Sequence, residues 1–315
     1  MNILPFGEPA AGGRSPSVPF SHAGHLLGHG NVAVSFEFLP PHTIESETKL
    51  WQSIERLAPL NPVHIAITSG GGASTRQRTS ALISRLYRRT GINVVPHVTC
   101  RNNDVSTLEA ILHDYWRAGV RQIVAIRGDS SNDGCGDVRA DGHGDVVSLI
   151  EGIRRIAPFE IIAAAYPEKH PLSPNMSADL DALKRKVDAG ATSAITQYFF
   201  DNDHFFRFLD RARAAGITIP ITPGVLPVYS LAQVMKISAK CSVSVPSALV
   251  ERLRDLDHDS VTRRYEVAAF NAEQILNLVR GGVSQIHFFT LNRADLVYGI
   301  CHMVGLRAVG VRQDV

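Results

Sequence analysis

The sequence predicts an α/β fold, a closed (β/α)8 barrel, and three observations favour it. From residue 31, short β-branched runs alternate with stretches of helical period, and this unit recurs eight times. Alternating strands and helices imply a parallel sheet, and eight units favour a closed barrel over an open sheet. Third, the glycine run Gly70-Gly71-Gly72 follows a strand, but it does not match the fingerprint of a dinucleotide-binding sheet. That fingerprint is G-x-G-x-x-G with an acidic residue about 20 positions later.

The predicted elements follow one another in chain order. We expect strands at 32–38, 63–68, 93–99, 121–126, 160–165, 193–198, 219–222 and 284–290. We expect helices at 44–58, 75–90, 104–118, 144–157, 176–190, 202–215 and 229–239, two extra helices at 246–256 and 260–281, and a last one at 293–304. Asp104 and the run Ser177-Ala178-Asp179 are expected to begin helices. Left-handed glycines are expected to close four helices, at Gly91, Gly119, Gly190 and Gly216.

The N-terminal segment differs from the rest of the chain. Residues 1–30 are rich in proline and glycine and have no helical period. They also lack the basic start and continuous apolar stretch of a secretory signal. We therefore expect a flexible arm at 1–30, followed by a single barrel domain at 31–310.

Composition excludes several classes of function. The chain has 315 residues, 44% hydrophobic and 20% charged, which is ordinary for a soluble globular protein. A formal net charge of +2 does not favour nucleic acid as a partner, and no run approaches the apolar length of a membrane span. The scattered histidines predict no metal site, and the cysteines form no CxxC pair. We expect free thiols in a reducing cytoplasm, at Cys100, Cys135, Cys241 and Cys301.

Polar or titratable residues follow nearly every predicted strand. In (β/α)8 barrels the carboxyl ends of the strands meet at one rim, where the chemistry takes place. One or two such residues could cap the following helices, but six or seven converging groups are better explained by a site. They are Glu37, Thr68-Ser69, His97, Arg127-Gly128-Asp129, Tyr166 with Glu168 and His170, Thr196-Gln197, and Thr290-Leu291-Asn292-Arg293.

Three features of the sequence, one of them at the predicted rim, have two interpretations each. Glu37, between Phe36 and Phe38, is either a structural carboxylate paired with an arginine or an acid/base group whose pKa is raised by apolar surroundings. Lys184-Arg185-Lys186 is either a solvated helix face or a grip for phosphate. The loop 130–144 is either simply mobile or a lid.

Eight segments, taken in order, carry a resemblance to a known family. They are Ser35–Pro41, Ile67–Gly70, Pro96–Cys100, Arg127–Asp129, Ala164–Glu168, Leu183–Lys186, Thr196–Asp201 and Thr290–Arg293. From about residue 32 to 307, the chain resembles bacterial 5,10-methylenetetrahydrofolate reductase. The resemblance implies a (β/α)8 barrel that binds FAD non-covalently, uses NADH or NADPH as electron partner, and acts on a small-molecule folate.

The resemblance also implies roles for the rim residues. The folate opens to a 5-iminium cation when its N10 is protonated, and the flavin then passes a hydride to that carbon. Glu37 matches the general acid, and Asp129 matches an acid beside the flavin that stabilises the cation. Folate is expected to contact Gln197, Arg293 and Ile237 in addition to these two acids. FAD is expected to contact Thr68, Ser69, His97, Arg127, Gly128, Asp129, Tyr166, His170, Asp179, Arg185 and Lys186.

The chain departs from the family pattern in three places. Ser69 stands where the family usually has tyrosine, Ile237 stands where it has a phenylalanine that packs on the nicotinamide, and the loop 130–144 has no aromatic residue. Because aromatic stacking contributes about 1 kcal/mol, we expect weak use of NADH.

Three alternatives stay open from the sequence. The enzyme could run mainly from 5-methyltetrahydrofolate to the methylene form. A flavin barrel could act on another substrate, such as an amino acid, or the chain could be a non-catalytic folate- or flavin-binding subunit. Barrels of this kind commonly assemble, so a homo-oligomer is also open, although no single stretch indicates an interface.

Overall fold

A computed structural model describes residues 32–69, 73–100, 104–128 and 144–308, with the backbone alone for 73–78. The predicted arm at 1–30 lies outside the described residues. So do Gly70-Gly71-Gly72, Asp129, Cys135 and nearly all of the predicted loop 130–144.

Eight parallel strands form a closed barrel in sequence order, and β1 completes the ring by pairing with β8. The predicted (β/α)8 barrel is therefore confirmed. The strands are β1 Ala33–Phe38, β2 Ile65–Ile67, β3 Val94–Thr99, β4 Gln122–Ile126, β5 Glu160–Ala165, β6 Ser193–Tyr198, β7 Ile221–Val225 and β8 Gln285–Phe289.

Ten helices are described, and the two extra ones precede β8 as expected. They are α1 Ile44–Leu57, α2 Ala73–Thr90, α3 Val105–Arg117, α4 Val146–Ile156, α5 Met176–Ala189, α6 Asn202–Ala214, α7 Leu231–Cys241, α8 Ser247–Leu253, α9 Ser260–Arg280 and α10 Ala294–Met303. Within the described ranges, no helix has both the length and the apolarity needed to cross a membrane.

Side-chain caps explain where several helices begin. Asp104 accepts a hydrogen bond from the backbone of Thr107 and begins α3, as the sequence predicted. The helix predicted at 176–190 is confirmed, but the expectation that Ser177-Ala178-Asp179 begins it was wrong, because Asn175 is the N-cap of α5. Asp179 lies instead in the first turn of α5, where it is buried and accepts a 2.7 Å hydrogen bond from Ser173. The four glycines predicted to close helices all have positive φ.

The end of β7 also differs from the prediction, which ended this strand at residue 222. The strand runs through Pro223 and Gly224 to Val225. The backbone nitrogen of Gly224 donates a 2.9 Å hydrogen bond to the Thr196 hydroxyl, beside a register shift in β6. A side chain at Gly224 would collide with the Thr196 carbonyl oxygen and the Phe289 ring. Glycine is therefore required here by the close approach of neighbouring strands.

The hydrophobic core has two parts. A large cluster fills the space between the strands and the surrounding helices, and Phe36, Leu50 and Phe288 are fully buried in it. A small cluster fills the inside of the barrel, built on Ala66, Val95, Val124 and Ile162 with Ile126 and Ile195 against it. The barrel is therefore a packed core rather than a pore, and ligands can enter only at its mouth.

Candidate active site

A cleft of about 690 Å³ opens at the carboxyl ends of the strands. Its floor includes the barrel residues Val124, Ile126 and Ile195. A volume of this size with an apolar floor and a few polar groups is typical of a ligand site. Ten of the predicted site residues line it: Glu37, Thr68, Ser69, His97, Arg127, Gly128, Tyr166, His170, Gln197 and Ile237.

Glu37 lies in this cleft between two histidines. Its Oε2 atom is 3.3 Å from Nε2 of His97 and 3.4 Å from Nε2 of His287. The Ser35 hydroxyl lies 2.8 Å from the other ring nitrogen of His287. The Glu37 side chain is only 14% exposed. We call Ser35, Glu37, His97 and His287 the acid cluster.

The strand register assembles the acid cluster. Side chains two residues apart on a strand share a face, so Ser35 and Glu37 point to the same side of β1. In the pairing of β1 with β8, Ser35 lies opposite His287. The sequence analysis missed Ser35 and His287. The signals that could have found them are the two-residue spacing of Ser35 from Glu37 and a histidine within the otherwise apolar run of β8.

The histidines reverse the pKa shift that the sequence predicted for Glu37. Burial by itself raises the pKa of Glu37, but the electrostatic effect of His97, 3.3 Å away, and the hydrogen bond and charge of His287 outweigh it. Together they lower the pKa of Glu37 from 4.5 to about 2. The expected raised pKa is therefore wrong for this arrangement. The structural alternative is also corrected, since the side chains that contact the Glu37 carboxylate are histidines rather than an arginine.

Ser35 lets His287 hold either protonation state. A carboxylate oxygen only accepts, so His287 donates from Nε2 to Glu37. The Ser35 hydroxyl can donate to Nδ1 of a neutral ring or accept from Nδ1 of a charged one. The Ser35 hydroxyl therefore pairs with Nδ1 of His287 in either state of the ring.

His64 lies behind the acid cluster, with its ring centroid 5.8 Å from that of His287. Burial lowers the pKa of His64 to about 3, and the charges of His287 and His97 act in the same direction. His64 is therefore neutral. Among the described residues, the two histidines that contact the Glu37 carboxylate are His97 and His287.

The cleft is also lined by Arg127, Gly128, Tyr166 and His170, which we call the cofactor wall because the sequence predicts FAD contacts there. Tyr166 and His170 meet edge to face, with ring centroids 4.7 Å apart. Burial lowers the pKa of His170, Asp179 opposes the shift, and Lys186, Arg127 and Lys169 lower it further. The same positive charges that repel a proton from His170 favour an anion at this wall.

Three predicted residues of α5 lie behind the cofactor wall rather than in the cleft. The Lys186 amine donates a 2.9 Å hydrogen bond to the Ala164 carbonyl and lies 5.9 Å from the Tyr166 ring centre. Burial lowers the pKa of Lys186. Asp179 is buried against Ser173, and Arg185 is exposed. Lys186 and Asp179 therefore support the loop that follows β5.

The predicted folate contacts fall in different places. Gln197 accepts a 3.1 Å hydrogen bond from the Tyr198 backbone, and its amide nitrogen has no partner among the described residues. Ile237 is half-buried and lines the cleft. Arg293 lines a neighbouring pocket, and its guanidinium lies 4.6 Å from the Tyr229 ring centre. The position of Asp129 lies outside the described residues, so its role stays a prediction.

Comparisons with known proteins agree along most of the chain. A family profile described as methylenetetrahydrofolate reductase matches residues 23–305. The 5,10-methylenetetrahydrofolate reductases of Pectobacterium carotovorum and Escherichia coli strain K12 are each 43% identical to the chain over 279 residues, covering 88% of it and 92% of the relative. Methylenetetrahydrofolate reductase (NADH) 1 of Zea mays is 31% identical over 292 residues, covering 89% of this chain and 49% of the maize protein.

A solved structure shares the fold. It is a protein from Clostridium thermocellum, described as binding two copies of 5-methyl-5,6,7,8-tetrahydrofolic acid, with a TM-score of 0.56 and 13% identity. The match covers 89% of this chain and 96% of that one, and at this identity it bears on the fold alone. The profile match and the 43% identity confirm the resemblance seen in the sequence: the chain belongs to the methylenetetrahydrofolate reductase family.

Proposed function

We propose that this protein interconverts 5,10-methylenetetrahydrofolate and 5-methyltetrahydrofolate with FAD held in the cleft and NADH or NADPH as electron partner. Family membership supports the reaction. The observation that carries the proposed mechanism is the carboxylate of Glu37, held in the cleft by two histidines. When bound, FAD would take a hydride from the nicotinamide and deliver one to the folate.

The residues present fit a flavin dinucleotide. The cleft floor is apolar and includes the small residues Ala163 and Ala164, which leave room for a ring system. The positive charges around His170 suit a pyrophosphate. We propose that Thr68, Ser69, His97 and the cofactor wall contact FAD, and that Asp179, Arg185 and Lys186 support this wall from α5.

Glu37 supplies the proton in our proposal. Its lowered pKa means that the carboxylate is ionised near neutral pH, so in our proposal the proton comes to it from a neighbouring donor, and the ring nitrogens of His97 and His287 lie 3.3 and 3.4 Å from its Oε2 atom. Glu37 accepts that proton on Oε2 and passes it to N10 of the folate, which opens the five-membered ring to the iminium cation. In the reverse direction the same atoms take the proton back.

Folate is held by groups on the other strands. We propose that the free amide nitrogen of Gln197 reads the pterin and that Asp129 stabilises the cation with its negative charge. Arg293, in the neighbouring pocket, would meet the charged end of the folate. Ile237 would cover the ring region from α7.

A weak nicotinamide site is part of the proposal. Ser69 and Ile237 both line the cleft, and neither offers an aromatic face. An aliphatic side chain excludes water but stacks poorly on a nicotinamide ring. We therefore expect hydride transfer between the folate and the flavin to be fast relative to reduction of the flavin by NADH. This favours the alternative in which the enzyme works mainly in the direction from 5-methyltetrahydrofolate to the methylene form.

We propose that the protein acts in the cytoplasm. Among the described residues, Cys100, Cys241 and Cys301 form no disulfide, and two of them are buried. Free thiols are the usual state in a reducing compartment.

An anaerobic assay of the purified protein tests the proposal. After loading with FAD and reduction by NADH, addition of 5,10-methylenetetrahydrofolate should reoxidise the flavin spectrum and yield 5-methyltetrahydrofolate, identified by mass spectrometry. A protein that retains no flavin, or a reduced flavin that the folate leaves unchanged, would contradict it.

A further inference from the structure

Glu168 lies in the chain between Tyr166 and His170 of the cofactor wall, and the proposed reaction does not use it. The sequence placed Glu168 at the rim, yet it is not among the described residues that line the cleft. Its side chain is only 10% exposed, and its Oε1 atom is buried without a hydrogen-bond partner in the described part of the chain. An unpaired buried carboxylate oxygen costs free energy, so the contacts of the other oxygen must outweigh it.

That other oxygen, Oε2, joins the loop after β5 to the connection between α7 and α8. Ser244 in this connection donates to Oε2 twice, from its backbone nitrogen at 3.0 Å and from its hydroxyl. Hydrogen bonds to a carboxylate are about twice as strong as bonds between neutral groups. Glu168 therefore fastens a residue 76 positions later in the chain to the cofactor wall.

His204 on α6 is the third member of this group, and Arg207 fixes its hydrogen-bond roles. An arginine only donates, so Nδ1 of His204 accepts from Arg207 at 3.4 Å, and the neutral ring carries its proton on Nε2. Nε2 lies 3.3 Å from the Ser244 hydroxyl and 3.5 Å from Oε2 of Glu168. We call Glu168, Ser244 and His204 the outer clamp.

The outer clamp has the residue types of a hydrolytic triad but not its geometry. In such a triad the acid holds one ring nitrogen of the histidine and the serine meets the other. Here Glu168 and Ser244 both meet Nε2 of His204, and Arg207 occupies Nδ1. The Ser244 hydroxyl donates directly to the carboxylate, so the histidine does not activate it as a nucleophile. The outer clamp is therefore a connection between elements.

The outer clamp holds the carboxyl end of α7. Ser242 closes this helix in a left-handed conformation with φ of 54°, and the Val243 backbone donates a 2.9 Å hydrogen bond to the Ser238 carbonyl. Ser244 is thereby fixed relative to α7. The Ser238 hydroxyl also lies 3.2 Å from the hydroxyl of Tyr198, at the end of β6. α7 is therefore held at two points, by β6 and by the loop after β5.

Both ends of the outer clamp carry residues that line the cleft. Ile237 and Lys240 lie three residues apart on α7, where side chains are neighbours, and both line the cleft. Tyr166 and His170 line it from the loop after β5. Without entering the cleft, the outer clamp thus connects the wall proposed for the flavin with the helix proposed to cover the reacting rings.

We infer that Glu168 is a positioning residue, which through Ser244 holds α7 at the distance from the cofactor wall that hydride transfer needs. This inference rests on the proposed function, in which Ile237 faces both the nicotinamide and the folate. Reacting atoms must lie about 3 to 3.5 Å apart, and a displacement of about 1 Å can cost a hundredfold in rate. Loss of the outer clamp should therefore slow both half-reactions, whereas loss of Glu37 slows only the folate half.

Stopped-flow measurement of the two half-reactions at saturating FAD tests this inference. Glu168→Ala should slow flavin reduction by NADH and flavin reoxidation by 5,10-methylenetetrahydrofolate by about tenfold each. Glu168→Gln keeps an oxygen that accepts from Ser244, so its rates should stay within about threefold of the parent. Glu251→Ala is the matched control and should keep parent rates, because Glu251 is exposed on α8 and does not line the cleft.

A double-mutant cycle separates positioning from a general loss of stability. Ser244→Ala, at an exposed residue, removes one of the two bonds to Oε2 and should slow both half-reactions about threefold. When Glu168 is already alanine, the same change should have no further effect. Fully additive effects, parent-like rates in Glu168→Ala, or equal losses in Glu168→Ala and Glu168→Gln would overturn the inference.

Hydrogen–deuterium exchange of the full-length protein gives a readout that needs no substrate. Peptides that cover 231–244 should exchange faster in Glu168→Ala than in the parent, because the Ser244 amide loses its acceptor, and should match the parent in Glu251→Ala. Unchanged exchange in Glu168→Ala overturns the inference. Variants that leave working half-reactions unchanged overturn the inference alone, whereas a parent protein without either half-reaction makes the proposed function fail with it.

Discussion

The two sides of the cleft differ in how completely the protein itself satisfies their charges. The acid cluster is closed: Glu37 is paired with His97 and His287, and His287 is paired with Ser35. The cofactor wall is open, because its positive surroundings repel a proton from His170 and Arg127 is exposed. The barrel therefore builds the proton chemistry in advance, whereas the other side becomes electrostatically satisfied only when an anionic ligand arrives.

The largest expected effect comes from breaking the acid cluster at its centre. Glu37→Gln keeps the size of the side chain and removes the group that passes the proton. Turnover of 5,10-methylenetetrahydrofolate should fall by at least about a hundredfold, as loss of a general acid usually does. Steady-state product formation measures this. Glu160→Gln, at the exposed amino end of β5, is the matched control and should retain parent turnover.

A smaller effect is expected when a partner of Glu37 is removed. In His287→Gln the burial of Glu37 still raises its pKa, while the lowering contribution of His287 is lost. The pKa of Glu37 should therefore rise from about 2, and folate reduction should slow by about tenfold or more, since a charge-assisted hydrogen bond is lost.

Isotope-edited infrared titration of the Glu37 carboxylate measures this pKa, with Glu37→Gln as the blank. His64→Gln is the control, because the His64 ring lies 5.8 Å from that of His287 and, among the described residues, makes no hydrogen bond or ion pair to Glu37. A Glu37 pKa that stays near 2 in His287→Gln would show that the histidine does not hold the carboxylate.

Removing the support that α5 gives to the cofactor wall should weaken the binding of FAD about tenfold. Replacing both Arg185 and Lys186 with alanine removes two positive charges and the hydrogen bond that ties α5 to Ala164. FAD should then dissociate during gel filtration, with a dissociation constant raised about tenfold by fluorescence titration. Lys184→Ala is the matched control, because Lys184 is exposed and pairs with Asp188. Full retention of FAD by the double variant would show that Arg185 and Lys186 do not support FAD binding.

The smallest effect concerns the nicotinamide. Ile237→Phe places an aromatic ring in the cleft, where stacking contributes about 1 kcal/mol, so NADH should bind roughly fivefold more tightly. Rapid-mixing measurement of flavin reduction against NADH concentration gives the apparent constant. A micromolar constant in the parent, or no change in Ile237→Phe, would contradict the weak nicotinamide site.

The fold was predictable because its signals are local. Hydrophobic period and helix caps such as Asp104 specify each element without reference to the rest of the chain. Gly224 shows the limit of this reasoning. Pro-Gly indicates a turn in sequence, but here the glycine continues a strand because Thr196 and Phe289 approach its backbone closely.

The candidate site was only partly predictable, because its energetics depend on residues far apart in sequence. Rim positions such as Glu37 and Gln197 follow from strand ends. The sign of the Glu37 pKa shift does not, because it depends on His287, 250 residues away and brought close by the closure of the barrel. The separation of Arg293 from the cleft likewise depends on the left-handed turn at Leu291 and Asn292.

The central claim is that the acid cluster serves the folate half of the reaction and leaves the nicotinamide half alone. Stopped-flow measurement of the two half-reactions in parent and Glu37→Gln protein tests it most directly. We predict that NADH reduces the flavin of both proteins at the same rate, whereas 5,10-methylenetetrahydrofolate reoxidises the variant at least about a hundredfold more slowly. Parent-like reoxidation by the folate, or an equal slowing of both half-reactions, would contradict the account.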